Sequence, residues 1–438
     1  MRVGYTNGTL DRHHNVGLMY LNVRSVQIAK YGGWHVSKSH AFDRRTFLVG
    51  AGAAAAAGSG LLAGRPGVAR AAGMALPPMP SRPLQLTIID VAGQLQLTKA
   101  IIEDYVGSHH QYVSGVSYQQ ATAPELPSKI MAQQQANQLQ INMVLTGSDA
   151  LSAGIVQKIW QPLLPDFQAK WPNLIGNYVQ PKAQGLAQGY GILDVFGNYG
   201  PTFTYNPAKL PNPPKTPEDL LTWAKSNPGQ LIYARPANSG PGRSLLMGLP
   251  YLLGEANPRE PQSWTKVWPY YQQLGQYIQY YPTGTAGTFQ ELGQGARTIA
   301  VSTMGWDLNV RALGVVPKNF GAFTFANEHL IADTQYICVP KGNSPEMLGL
   351  VLDLIAWVLK PDQQAKTYDT GYFYPGPAVK GVALSMAPKA SQDQVGPVRR
   401  ASFDDLIRTR PIEIPLDPDK LVQAFTLWDQ KVGANKLK

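Results

Sequence analysis

From Leu84 to Asp90 apolar and polar residues alternate, the period of a half-buried strand. A helical spacing follows over about 94–107, then a second strand over Tyr112–Tyr118 and a Gln-rich helix over about 125–139. Ile141–Thr146 reads as a third strand, and Gly147-Ser148-Asp149 starts the next helix with Ser or Asp as its cap. Strand, helix, strand, helix, strand within about sixty residues predicts parallel strands in a doubly wound α/β sheet. Residues 160–217 are rich in Pro, Gly and aromatics, and the βα rhythm resumes after them. Thr216-Pro217-Glu218-Asp219 supplies a cap, a first-turn proline and two first-turn carboxylates for a helix ending near Ser226. A strand is expected over Gln230–Arg235, helices over 241–253 and Trp264–Tyr280, and a strand over Arg297–Thr303. Thr334–Pro340 reads as a strand, Ser344-Pro345-Glu346 caps an apolar helix stopped by Lys360-Pro361, and a last helix covers about 417–432. The pattern predicts two α/β lobes, with the chain crossing between them near 196–206 and again between about 305 and 340.

The first 71 residues stand apart. Arg44-Arg45 precede an apolar run from Phe47 to Ala63, and Ala69-Arg70-Ala71 has the A-x-A form of a signal-peptidase site. That order predicts a secretory signal of the twin-arginine type, cleaved near Ala71. The segment resembles the S/T-R-R-x-F-L-K export consensus, from which Asp43 and Val49 depart. Its Ala and Gly content is too weakly apolar for a stable membrane span. Upstream of the arginines there is no usable pattern, and Met19 is an alternative start.

Export changes the charge argument. The chain carries a formal +10, but nine of its 38 Lys and Arg and two of its 28 Asp and Glu fall within residues 1–71, leaving about +3 for the remainder. Arg399-Arg400 is the basic cluster left, so nucleic acid is not an expected partner. The single cysteine, Cys338, makes no internal disulfide and reads as a packed thiol in a strand. No other segment approaches twenty apolar residues, so a soluble periplasmic product is expected.

Residues 72–438 exceed what one core normally serves. Leu145-Thr146-Gly147-Ser148-Asp149-Ala150, Phe203–Pro207, Pro217–Trp223 before Ile232–Pro236, and Ser239–Arg243 with Trp306-Asp307 follow one another in a telling order. In order, spacing and length they resemble the extracellular solute-binding proteins of ABC importers, in the branch with spermidine/putrescine-, thiamine- and iron-binding members. The resemblance covers residues 83–438. It implies the type II periplasmic-binding fold, an α/β architecture of two doubly wound lobes joined by a hinge that closes on a ligand. The implied division is 1–71 for the n-region and signal peptide, 72–200 for the first part of lobe 1, 201–330 for lobe 2, and 331–438 for the return to lobe 1 with the C-terminal helices. The implied partners are a small polar solute and the membrane subunits of an ABC permease, met as a monomer and without a cofactor.

In open α/β sheets ligands sit at the carboxyl ends of strands, where loops present helix N-termini. That rule selects Asp90, Thr146, Ser148, Asp149, Ser239, Gly240, Arg243, Trp306 and Asp307 as candidate ligand contacts. Helix capping explains Thr146, Ser148 and Asp149 equally well, a plain turn explains Ser239–Arg243, and packing explains Trp306. Arg243 beside potential backbone donors suits an anion, whereas Asp90, Asp149 and Asp307 beside Trp306 suit an amine or quaternary cation. A zwitterion satisfies both. Enzyme chemistry finds little support, because G-x-S-x-G, H-E-x-x-H, C-x-x-C and Walker motifs are absent. After residue 71 the histidines are His109, His110 and His329, which assemble no evident metal site. The expected function is therefore solute capture for an ABC permease, with an exported enzyme or a ligand sensor on the same fold as alternatives.

Overall fold

The computed structural model describes residues 74–91, 93–434 and 436; the expected signal and its cleavage site lie outside them. Strand β1 (Leu84–Asp90) pairs in parallel with β2 (Val113–Gln120) on one side and β3 (Met143–Gly147) on the other. Helices α1 (Leu95–Ser108) and α2 (Leu126–Gln135) make the crossovers, and α3 (Ser148–Val156) follows β3. Helix α1 buries Leu97, Thr98, Ile101, Ile102 and Tyr105, a stripe at helical spacing that lies on the sheet. Helix α2 stops at Gln135, earlier than its Gln-rich pattern suggests, because Asn137 turns left-handed at φ 52°. The expected side-chain cap of α3 is absent. Gly147 is the N-cap, Ser148 and Asp149 fall inside the first turn, and Asp149 Oδ1 accepts from the Ala150 N–H.

The rest of this sheet comes from distant segments. Strands β4 (Gly191–Gly200) and β9 (Leu330–Cys338) are buried along their whole length. Strand β9 runs antiparallel to both β3 and β4, with β10 (Pro375–Pro377) outside β4 and β11 (Ile412–Glu413) also on β9. The sheet is thus mixed, with parallel pairing confined to β1, β2 and β3 and to the β9–β11 pair. Pro345–Val358, capped by the Ser344 hydroxyl on the Met347 N–H, packs its apolar residues into the same core.

A second, smaller sheet has the order β6 (Leu231–Ile232), β7 (Ile299–Ser302), β5 (Thr202–Tyr205), β8 (Gly321–Phe323). The chain passes from the first sheet to the second between Gly200 and Thr202 and returns between Phe323 and Leu330. Around it lie α4 (Pro217–Ser226), α5 (Gly240–Leu252), α6 (Val267–Gly275), α7 (Thr285–Gly293) and α8 (Met304–Ala312). Helix α4 starts with the capping box read from its sequence: Thr216 accepts from the Asp219 N–H and Asp219 from the Thr216 N–H. The strand expected over 230–235 is only two residues long, and the helix expected over 264–280 shrinks to α6. The C-terminal helix Pro418–Trp428 sets Leu421, Ala424 and Trp428 into this second core and also runs against α3. Among the described residues no helix is long and apolar enough to cross a membrane.

Candidate ligand-binding site

A cavity of about 390 Å³ is lined by residues attached to both sheets. From the first sheet come the turns after β1 (Val91, Gly93) and β2 (Ala121–Ala123), the start of α3 (Asp149), and the strand residues Asn198, Asp333 and Gln335. The second contributes Asn238–Gly240 and Arg243 at the start of α5, Thr283–Ala286 at the start of α7, and Trp306 in α8. Parallel strands end here and helices begin here, so backbone donors and loop side chains converge on one space.

Three charged residues line it. Arg243 is buried and donates from Nη1 to Asp149 Oδ2 (3.0 Å) and from Nη2 to Asp333 Oδ1 (2.8 Å). Burial alone would lower the Arg243 pKa, but the two carboxylates together raise it, so the guanidinium stays charged. Asp333 Oδ1 also accepts from the Thr334 N–H. Burial still lifts the Asp333 carboxyl above its usual range, against the pull of Arg243. Gly240 allows this approach, because a Cβ there would stand 2.8 Å from Asp333 Oδ2. Arg243 is thereby a tie across the sheets: α5 of one is bonded to α3 and β9 of the other.

A second tie is Asn198, whose Oδ1 accepts from the Gly305 N–H at 3.0 Å and holds the first turn of α8 against β4. Trp306 follows, with its ring stacked on Phe289 (5.5 Å, 3°) and met edge-on by Tyr372 (5.3 Å, 77°). The Ser239 hydroxyl accepts from the Gly242 N–H as the cap of α5 and is bonded to the Thr285 hydroxyl (2.8 Å). Two amides in the wall behave differently. Gln335 Oε1 and Asn238 Oδ1 are shielded from solvent and have no hydrogen-bond partner among the described residues.

The sequence candidates separate in space. Asp149, Ser239, Gly240, Arg243 and Trp306 meet in this cavity. Asp90 borders an adjoining hollow that shares Val91, Gly93, Ala121 and Thr122 with it, and its Oδ1 accepts from the Gln94 N–H. Thr146 is buried in β3 and donates to its neighbour's carbonyl, while Ser148 is buried behind the wall. Asp307 lies on the far side of α8 from the cavity. It is fully buried, paired with Arg311 and Arg400, and accepts from the Thr204 hydroxyl. Arg311 likewise serves that ion cluster. Asp333, Gln335, Asn198 and Tyr372 were not among the candidates. The first three lie inside long strands, where a polar residue facing a cavity and one facing a neighbouring helix have the same sequence signature. Among the described residues no His, Cys, Asp and Glu group is placed to hold a metal, and Cys338 is buried in β9.

The profile of the family described as "bacterial extracellular solute-binding protein" matches residues 100–395. Among solved structures, the periplasmic binding protein AfuA of Actinobacillus pleuropneumoniae with fructose-6-phosphate superposes with a TM-score of 0.58 at 15% identity, covering 80% of this chain and 98% of that one. The spermidine/putrescine substrate-binding protein PotD of Streptococcus pneumoniae gives 0.54 at 14% identity over 78% and 99% of the two chains. Iron-bound HitA of Pseudomonas aeruginosa gives 0.53 at 16% identity over 80% and 100%. At such identities the likeness is one of fold. No curated protein is similar enough in sequence to count as a match. Two α/β sheets contributing to one cavity, and a family match spanning most of the described chain, lead to one conclusion: the chain belongs to the bacterial extracellular solute-binding proteins.

Proposed function

We propose that this protein is an exported receptor that captures a small polar solute in the cavity between its two sheets and delivers it to an ABC permease, with no chemistry of its own. The observation that carries this reading is the wall itself: residues of both sheets line one cavity, among them Asp149, Asp333, Arg243 and the amides Asn198, Asn238 and Gln335. Charged and amide side chains converging on one concave wall orient a polar guest and give it specificity. A solute touching both walls favours the closed arrangement because it gains all its contacts only there. The lobes would be residues 72–200 with 331–413, and 201–330 joined by the C-terminal helix Pro418–Trp428, hinged where the chain crosses between the sheets. Related folds bear names that mention a sugar phosphate, polyamines and iron, so fold leaves the solute class to the wall residues.

The test is titration calorimetry of the purified protein against panels of amines, amino acids, sugars, carboxylates, phosphate esters and metal ions. Saturable binding of one solute per chain, weakened by Trp306→Ala, is expected. Delivery is tested separately, by solute uptake into vesicles carrying the permease with and without this protein. An absence of binding across all panels, or turnover of a bound compound, would overturn the receptor reading.

A further inference from the structure

Three amide side chains line the cavity: Asn198, Asn238 and Gln335. Asn238 and Gln335 leave their oxygens without a partner, so neither is oriented through its carbonyl by the described residues. Asn198 differs. Its Oδ1 accepts from the Gly305 N–H at 3.0 Å, and turning the amide over would set N–H against N–H. Nδ2 is therefore the end left for the cavity, and it donates to nothing among the described residues. Two features of the fold serve this arrangement. The β4–β9 ladder shifts register between Gly197 and Gly200, and within that bulge Asn198 takes a left-handed backbone at φ 46°. Its own N–H donates to the Tyr374 carbonyl at 2.8 Å. A bulge re-aims a side chain, and glycine is the residue to which a left-handed backbone costs least. Asparagine tolerates the same backbone and adds one acceptor and one donor group, whereas an ionised Asp would offer acceptors only. On α8, Gly305 has to lack a side chain, since a Cβ there would stand 2.7 Å from Asn198 Oδ1 and 2.3 Å from the Tyr372 carbonyl oxygen. The next residue, Trp306, lines the cavity.

We infer that Asn198 is a solute-binding residue that couples binding to closure: Nδ2 donates to an acceptor oxygen of the solute while Oδ1 holds the first turn of α8, and with it Trp306. This rests on the receptor reading above. One amide then joins both sheets and the solute, because Asn198 belongs to β4 of the first sheet and α8 follows β7 of the second. Donation from Nδ2 pushes electron density through the amide onto Oδ1 and makes it a better acceptor for the Gly305 N–H, so the two bonds strengthen each other. The demand is for a hydroxyl, carbonyl, carboxylate or phosphoryl oxygen at this point, whatever the solute's net charge. Asn198 is 2% exposed, so once the cavity is filled a donor that meets no acceptor goes unsatisfied, and a solute without one there is disfavoured.

The test is nuclear magnetic resonance of isotope-labelled protein titrated with glycine, glycine betaine, glucose, succinate and glycerol 3-phosphate, then with the wider panels used for the receptor reading. Each binder is also followed by calorimetry. The Asn198 side-chain amide is assigned through its proximity to the Gly305 N–H proton, which needs no variant. On saturation one of its two protons should move downfield and exchange with water more slowly. Asn198→Gly keeps the backbone conformation and removes both ends of the amide, so it should bind about tenfold more weakly, with its own melting curve as the control for folding. A residue that only ties α8 in place would lower the melting temperature when replaced, yet its amide protons would not respond to solute in this way. Amide protons unchanged at saturation, or a folded Asn198→Gly that binds with parent affinity, would overturn the inference and leave the receptor reading standing. If Asn198→Gly does not fold, the amide protons of the parent decide alone. Failure of every solute to bind would remove both.

Discussion

Asp194 offers a measurable consequence of how β4 is buried. Its side chain is fully enclosed, Oδ2 accepts from Gln94 Nε2, and Oδ1 has no partner among the described residues. Gln94 Oε1 is equally unpartnered. A neutral carboxylic acid resolves both at once, because its O–H donates to Gln94 Oε1 while its carbonyl accepts from the amide. The electrostatics agree: burial lifts the Asp194 carboxyl to about 7, only partly offset by Gln94 and by the N–H groups of Asp194 and Val195. The folded state therefore holds this proton more tightly than the unfolded chain, whose carboxyl titrates near 3.8. The associated stability is fully present below pH ~4 and drains away as pH rises to about 7. With about three units between the two states, the loss is on the order of 4 kcal/mol.

Asp194→Asn keeps the shape and both hydrogen bonds and removes the titration. Urea unfolding of parent and variant, followed by tryptophan fluorescence between pH 4 and 8, should give nearly equal stabilities at pH 4. The variant should then gain steadily on the parent up to about pH 7, by several kcal/mol, with no further change at pH 8. A difference that stays flat across this range would refute the argument, because Asp194 would then be in the same protonation state throughout. The pair also matters for the site, since Gln94 follows the cavity-lining Gly93 and ties that turn to the sheet.

Three further outcomes follow from the packing. Arg243→Ala leaves Asp149 and Asp333 buried without their cation and should cost about 3–5 kcal/mol in urea unfolding; an unchanged midpoint would mean that the triad does not hold the sheets together. Gly242→Ala places a Cβ 2.4 Å from the Ala234 carbonyl oxygen, so backbone must move; a loss of about 1–3 kcal/mol is expected, whereas Gly185→Ala, with nothing within 4 Å, should be neutral or mildly stabilising. Cys338 is buried and burial pushes its thiol well up, so a disulfide-exchange reagent should react at the rate of unfolding; fast reaction with native protein would contradict that burial.

How much of this was legible beforehand depends on whether the signal was local. Thr216-Pro217-Glu218-Asp219 and Ser344-Pro345-Glu346 announce their helices because a cap acts over three residues, and both helices begin where read. Strand β1 and the crossover through α1 to β2 follow from periods of two and 3.6 that need no partner to be recognised. The α/β class and the family resemblance rest on that order. Strand β4 escaped because it is covered on both faces. Its Gly, Asp and Asn residues give no alternation, and what holds it is pairing with β9, more than a hundred residues away. Helices α7 and α8 were missed for a related reason, since they are short, open with Gly284 and Thr303, and are fixed by packing.

The cavity divides along the same line. Loops at strand ends were identifiable as a class, which is how Asp149, Ser239, Gly240, Arg243 and Trp306 came to be selected. Local sequence could not tell Trp306 from Asp307, its neighbour in α8: one faces the cavity and the other an ion cluster with Arg311 and Arg400. Nor could it show that Arg243 is neutralised twice over, because Asp149 and Asp333 lie 94 and 90 residues away from it. By itself the sequence determined the periods, the caps and the order of elements, all properties of a few neighbouring residues. Tertiary structure alone decided which charges meet and which acceptors go unpaired, since both depend on strand register between distant segments and on what burial denies to water.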